Sequence, residues 1–115
     1  MKLVIALIQP HRLEAVKREL RERDIHRLTV LDASGYGRQK GQVKFFRGQE
    51  LDSTLINKIE VQVAVNDEFV DITVEGIIAG ARTDEGGQVG DGKIFVVPLE
   101  KVIRISDGTT GSEAI

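Results

Sequence analysis

The stretch Gly87-Gln88-Val89-Gly90-Asp91-Gly92-Lys93 has the spacing G-x-x-x-x-G-K. In a phosphate-binding loop of that spacing, glycines free the backbone to turn its N–H groups toward an anion, and the lysine adds a point charge beside them. Two departures separate it from the nucleotide-hydrolysing version of that loop. Ile94 stands where a serine or threonine would hold magnesium, and residues 94–97 read as a strand where a helix should follow. What survives is either a local anion cradle or a glycine-rich surface turn, since Asp-Gly is a common turn pair. The spacing alone leaves both open.

Other chemistry finds little footing. With no cysteine among 115 residues, disulfides, thiolate metal sites and a cysteine nucleophile are excluded. His11 and His26 are isolated, no Ser, His and Asp stand at a suggestive spacing, and "GYGR" from Gly35 lacks the paired aromatics that stack RNA bases. Sixteen Lys and Arg against eighteen Asp and Glu give a net charge of −2, so no global field draws in nucleic acid. An anion site must therefore be local, and the chain reads as a non-enzyme with at most a slow, incidental ATPase. The apolar run at residues 3–8 is too short to span a bilayer and lacks a signal-peptide cleavage site, so a cytoplasmic protein is expected.

The elements that must position these residues follow from hydrophobic periodicity, and the length suits one domain spanning 1–115. Residues 3–8 form a continuous apolar run, as in a central strand buried on both faces. Over 11–23, Leu13, Val16 and Leu20 share a helical stripe, Pro10 suits a helix start, and Glu14 and Glu19 each precede an arginine by four positions. A second strand is expected over 28–36. A third covers 58–65, where Ile59, Val61, Val63 and Val65 alternate with Lys58, Glu60, Gln62 and Ala64. Asp67 is the expected N-cap of a second helix carrying Val70, Val74, Ile77, Ile78 and Ala81, followed by a strand ending at Pro98 and a short extended piece over 102–105. This βαββαβ order predicts an α+β, ferredoxin-like fold: an antiparallel sheet with both helices on one face. The other face, apolar along the first and last strands, would be left uncovered, which predicts a homo-oligomer packing sheet against sheet.

The connection from Gly37 to Asn57 is far longer than a typical loop of about five residues. Val43, Phe45 and Phe46 interleave there with Lys44 and Arg47, which suits an arm that docks on a partner; the alternative is a long hairpin whose aromatics fold back on its own domain.

Taken together, Gly35-Tyr36-Gly37-Arg38-Gln39-Lys40-Gly41, Phe46-Arg47-Gly48, Lys58, Gly90-Asp91-Gly92-Lys93-Ile94-Phe95 and Val102-Ile103-Arg104-Ile105 resemble the PII nitrogen-regulatory signal proteins. The resemblance implies a homotrimer with ATP or ADP in each cleft between subunits and a long T-loop, here about 37–57, that contacts targets. It makes the glycine turn, about 82–93, the family's phosphate-cradling B-loop, and 106–115 the C-terminal tail. By motif, Gly90, Asp91, Gly92 and Lys93 would line the phosphates, with Arg104 reaching across from a neighbouring subunit. Leu7, Thr29, Gly35, Gly37 and Ala64 would border adenine and ribose, and Arg38 would approach the terminal phosphate. Gln39, Gly41 and Lys58 match the positions that take 2-oxoglutarate, and Gln39 would ligate Mg2+ together with ATP oxygens, the donor type magnesium prefers. Arg47 matches the arginine that enters an ammonium transporter.

The resemblance has gaps. Leu51 replaces the tyrosine that is uridylylated in the family, and Gln49 replaces a serine phosphorylated in some relatives. The B-loop carries a few extra residues, including Asp84 and Glu85, and Ser106 replaces the second arginine of the family's C-terminal pair. Added negative charge and lost positive charge are both expected to weaken phosphate binding. The implied function is a sensor of ATP, ADP and 2-oxoglutarate that regulates an ammonium transporter or a nitrogen-metabolism enzyme through its T-loop. It would meet the membrane only through that partner. The alternative is a PII-like paralogue tuned to another small ligand in a non-nitrogen process.

Overall fold

The computed structural model describes residues 1–37, 44–46, 49–51 and 54–115. The first strand, β1, runs Lys2–Ile8 and is followed by a 3-10 turn, Pro10–Arg12, and helix α1, Leu13–Glu22. Strand β2 is Thr29–Gly37, β3 is Lys44–Phe46, β4 is Gln49–Leu51 and β5 is Thr54–Val65. A second 3-10 turn, Asp67–Phe69, leads into α2, Val70–Ala81, and β6 spans Gly92–Pro98. The main sheet has the order β2-β5-β1-β6 with every pair antiparallel, the ferredoxin-like arrangement expected from the element order. None of the helices described is long and apolar enough to cross a membrane.

Strand alternation decides which face the helices cover. Val4, Ala6 and Ile8 of β1 and Val61, Val63 and Val65 of β5 point to one side, where Val16, Leu20, Ile77 and Ala81 of the helices complete the buried core. The opposite face carries Leu3, Ile5 and Leu7, all only partly buried, and Phe95 and Val97, both exposed. The strand expected to be buried on both faces is thus sealed on one and, among the described residues, left open on the other.

The two helices meet through small residues. Thr73, Gly76, Ile77, Gly80 and Ala81 form the buried stripe of α2, whereas Ile78, expected among the apolar positions facing the core, is exposed. At Gly80 a β-carbon would lie 2.5 Å from Val16 Cα, so the backbones of α1 and α2 pass at a distance only glycine permits. Arg12 Nε donates to the Gly80 carbonyl at 2.9 Å, fixing the same crossing.

Four local expectations differ from the structure. Asp67 caps no helix. Its carboxylate accepts from the chain's terminal ammonium at 2.6 Å and from Lys2 Nζ at 3.2 Å, because the register Lys2↔Val65 brings the two chain segments together. Of the two i,i+4 pairs on α1, Glu19–Arg23 forms at 2.7 Å, but Glu14 takes Lys17 instead of Arg18. The piece over 102–105 is no strand; it makes one bridge, Ile103↔Thr110, inside its own loop. Finally, the long connection is shorter than expected: β5 starts at Thr54, β2 runs to its partner Gly37, and β3 pairs with β4 in a separate two-stranded ladder.

The helix crossing yields a direct test. Gly80→Ala should destabilise the fold by about 2 kcal/mol through overpacking against Val16, read as a lowered urea midpoint at unchanged slope; an unaltered midpoint would contradict the close packing.

Candidate functional site

The site lies where β1 ends and β6 begins. Leu7 pairs with both Glu60 and Lys93, Lys58 pairs with Ala33, and Gly35 pairs with Ile56. With a side-chain period of two, Leu7, Lys58, Gly35, Ile56 and Lys93 all fall on the open face. Together with Tyr36, Gly37, Gly90 and Gly92 they line a cleft of about 380 Å3, a volume that suits a small-molecule ligand.

Glycine is required at its rim. Gly92 has φ +113°, and a β-carbon there would overlap the Leu7 carbonyl oxygen. Gly90, at φ +98°, likewise adopts a conformation that L-residues rarely reach. Its carbonyl accepts two donors, Lys58 Nζ at 2.5 Å and Gln9 Nε2 at 2.8 Å. The phosphate-loop candidate is therefore tied to β5 by the Lys58 ammonium and to the residue after β1 by the Gln9 side-chain amide.

Two lysines, 58 and 93, supply the charge of the cleft, and among the described residues no carboxylate lines it. Desolvation lowers the Lys58 pKa below the ordinary lysine value, with the nearby Asp91 carboxylate acting the other way. A partly desolvated ammonium favours an anionic partner that restores its solvation. The inserted acids Asp84 and Glu85 line a different surface, beside Ile78, Ala79 and Arg82.

Asp91 does not line the cleft either. Its carboxylate accepts from the backbone N–H of Gln88 at 2.8 Å, from the Thr83 hydroxyl at 2.8 Å and from the Thr83 N–H at 3.2 Å. Partial desolvation opposes its ionisation, but these bonds, with Arg12 nearby, outweigh that and hold the carboxyl below its usual range.

Of the residues singled out by sequence, Leu7, Gly35, Gly37, Lys58, Gly90, Gly92 and Lys93 converge. Besides Asp91, three others do not. Ala64 borders a different cavity, with Ile25, His26 and Phe69. It lies six residues beyond Lys58 along β5, about 20 Å at the usual strand rise, and Thr29 opens β2 at that same far end. Arg104 bonds within the C-terminal segment, to Asp107 at 3.0 Å and to the Glu113 carbonyl. Arg38, Gln39, Gly41 and Arg47 lie outside the described residues. Gln9, Thr83, Tyr36 and Ile56 are additions from the structure. Tyr36 and Ile56 flank the flagged glycines in the β2–β5 register, whereas Gln9 and Thr83 carry no signal in residue type or spacing.

Comparison with known families bears directly on this geometry, because the model of the nitrogen regulatory protein P-II matches residues 1–109. The chain belongs to the P-II family. The nitrogen regulatory protein GlnK1 of Methanosarcina mazei is 55% identical over 115 residues, covering all of this chain and 97% of its own length. Nitrogen regulatory proteins P-II of Nostoc punctiforme and Rhodobacter capsulatus are 45% and 43% identical over the full length of both chains. The family is one of nitrogen regulators, and these relatives are named as regulatory proteins.

The Gly92 approach gives the site's own test. Gly92→Ala should lower stability by about 3 kcal/mol, since it combines a positive φ with overlap onto the β1 backbone. Thermal denaturation measures this; a variant melting with the wild type would remove the claimed contact.

Proposed function

We propose that the chain is a non-enzymatic PII-type sensor that binds ATP or ADP and 2-oxoglutarate and signals nitrogen status to partners through the T-loop. The observation that carries this reading is the cleft, in which a glycine backbone and two lysines converge with no lining carboxylate among the described residues. Gly90 and Gly92 both have positive φ, the glycine-rich kind of turn that lets backbone N–H groups converge on phosphate oxygens.

In this reading Gly90, Gly92 and Lys93 hold the phosphates, and Leu7, Gly35 and Gly37 border the sugar and base with Arg38 at the terminal phosphate. Thr29, Ala64 and Arg104 belong to the same site but stand at the far end of the sheet or on the C-terminal segment. One chain cannot bring both groups to one nucleotide, so the binding unit is a homo-oligomer, a trimer by family resemblance, in which a second copy supplies the missing wall. The uncovered apolar face of Leu3, Ile5, Phe95 and Val97 supports the same assembly.

Lys58 would pair with a 2-oxoglutarate carboxylate, with Gln39 and Gly41 beside it. Gln39 and phosphate oxygens would hold Mg2+, which polarises and orients those oxygens when bound. Ligand occupancy sets the T-loop state by differential affinity for two loop conformations. Arg47 would then engage an ammonium transporter or a nitrogen-metabolism enzyme. Leu51 leaves no tyrosine at that position for uridylylation.

Calorimetry tests the carboxylate step. With ATP and magnesium present, 2-oxoglutarate should bind the wild type and lose most of its heat in Lys58→Ala; no heat, or equal heat in both, would reject this role. Because desolvation depresses the free Lys58 pKa, pairing should raise it. In alkaline buffer between the two values, binding must then take up a proton and weaken as pH rises, visible as a dependence of the heat on buffer ionisation enthalpy.

A further inference from the structure

The turn between α2 and β6 folds around one carboxylate. Asp91 Oδ2 gathers the backbone N–H groups of Gln88 and Thr83, while Oδ1 takes the Thr83 hydroxyl. Within the loop, Asp84 Oδ1 accepts the Gly86 N–H at 3.0 Å and Oδ2 accepts the Gln88 side-chain amide. Backbone bonds Gly87 N–H to Asp84 O and Asp91 N–H to Gln88 O, at 3.1 and 3.2 Å, close the two successive turns. The extra residues are thus organised between Thr83 and Asp91, and the loop reaches Gly90 in the orientation that Lys58 and Gln9 grip.

We propose that Asp91 is a positioning residue for the anion cleft, acting through Thr83 and the Gln88 N–H without touching the bound phosphates. This rests on the nucleotide reading above and assigns Asp91 a different part in it from the phosphate lining implied by family resemblance. Two effects of the carboxylate oppose each other. As a negative charge one residue from Gly90 and Gly92, it repels a polyanion. As the acceptor for three donors, it holds the loop that binds that polyanion. Hydrogen bonds to a charged group outweigh a solvent-screened repulsion at a loop surface, so removing the carboxylate should weaken binding. A residue that simply faced the phosphates would give the reverse sign. Alanine is the informative replacement, because it removes the acceptor of all three donors, whereas an asparagine amide could accept both backbone N–H groups at Oδ2 and donate its NH2 to the Thr83 hydroxyl.

The test is an ATP titration of the full-length protein by calorimetry, with thermal denaturation of each variant alongside. Asp91→Ala and Thr83→Val should each weaken ATP by about tenfold at a temperature where both remain folded. The double variant should be scarcely weaker than either one, because both break the same contact. Thr83→Ser, which keeps the hydroxyl, should bind like the wild type. ATP binding that is unchanged or tighter in Asp91→Ala overturns the proposal, as do fully additive losses or failure of Thr83→Ser to keep affinity. A wild type that gives no ATP binding overturns the nucleotide reading itself, and the positioning role with it.

Discussion

Where β6 enters the sheet, the backbone of Gly92 passes so close to the Leu7 carbonyl that no side chain fits between them. This approach couples three things that a chain this small must solve together. It starts the β1–β6 ladder at Ile8↔Gly92. It leaves the preceding turn, at Gly90, within reach of Lys58 on β5 and Gln9 at the end of β1. It also puts Lys93 on the open face next to Leu7, so that two ammonium groups and a glycine backbone share one cleft. A bulkier residue at 92 would separate the turn from the sheet, and the charge of Lys58 would have no glycine carbonyl to hold.

The same sheet explains why the proposed site extends beyond one chain. Helices α1 and α2 seal one face through the Val16–Gly80 crossing, and none of the described residues covers the other. A candidate cleft at one end of that open face and an apolar surface beside it are consequences of a single topology. In the proposed assembly, burial of Phe95 and Val97 against a second copy supplies apolar stabilisation, at roughly 25 cal/mol per Å2 of apolar area removed from water. It also delivers the residues that the cleft lacks.

Much of this was legible in residue order. The alternation of Ile59, Val61, Val63 and Val65 identifies the core face of β5, and the glycine-lysine turn identifies the rim of the cleft. What escaped depends on contacts distant in sequence or on small residues. The capping pattern at Asp67 is ambiguous until the β1–β5 register brings the chain's terminal ammonium to it. The α2 stripe favours large apolar residues in a sequence reading, yet close helix packing selected Gly76 and Gly80 over Ile78. Residues 102–105 have strand-forming side chains but no sheet edge to join, and Ile105 is fully exposed. Asp91 sits inside the phosphate-loop motif, and no spacing shows that its carboxylate turns inward to Thr83.

In the proposed assembly, two copies of this chain enclose a nucleotide between a glycine-lysine rim and the far end of a neighbouring sheet. A crystal structure of the protein grown with ATP and magnesium tests it most directly. The expected density places phosphates against Gly90, Gly92 and Lys93 of one protomer, with the base also touching Thr29 and Ala64 of its partner. A nucleotide held wholly within one protomer, or phosphates bound away from Lys93, would contradict it.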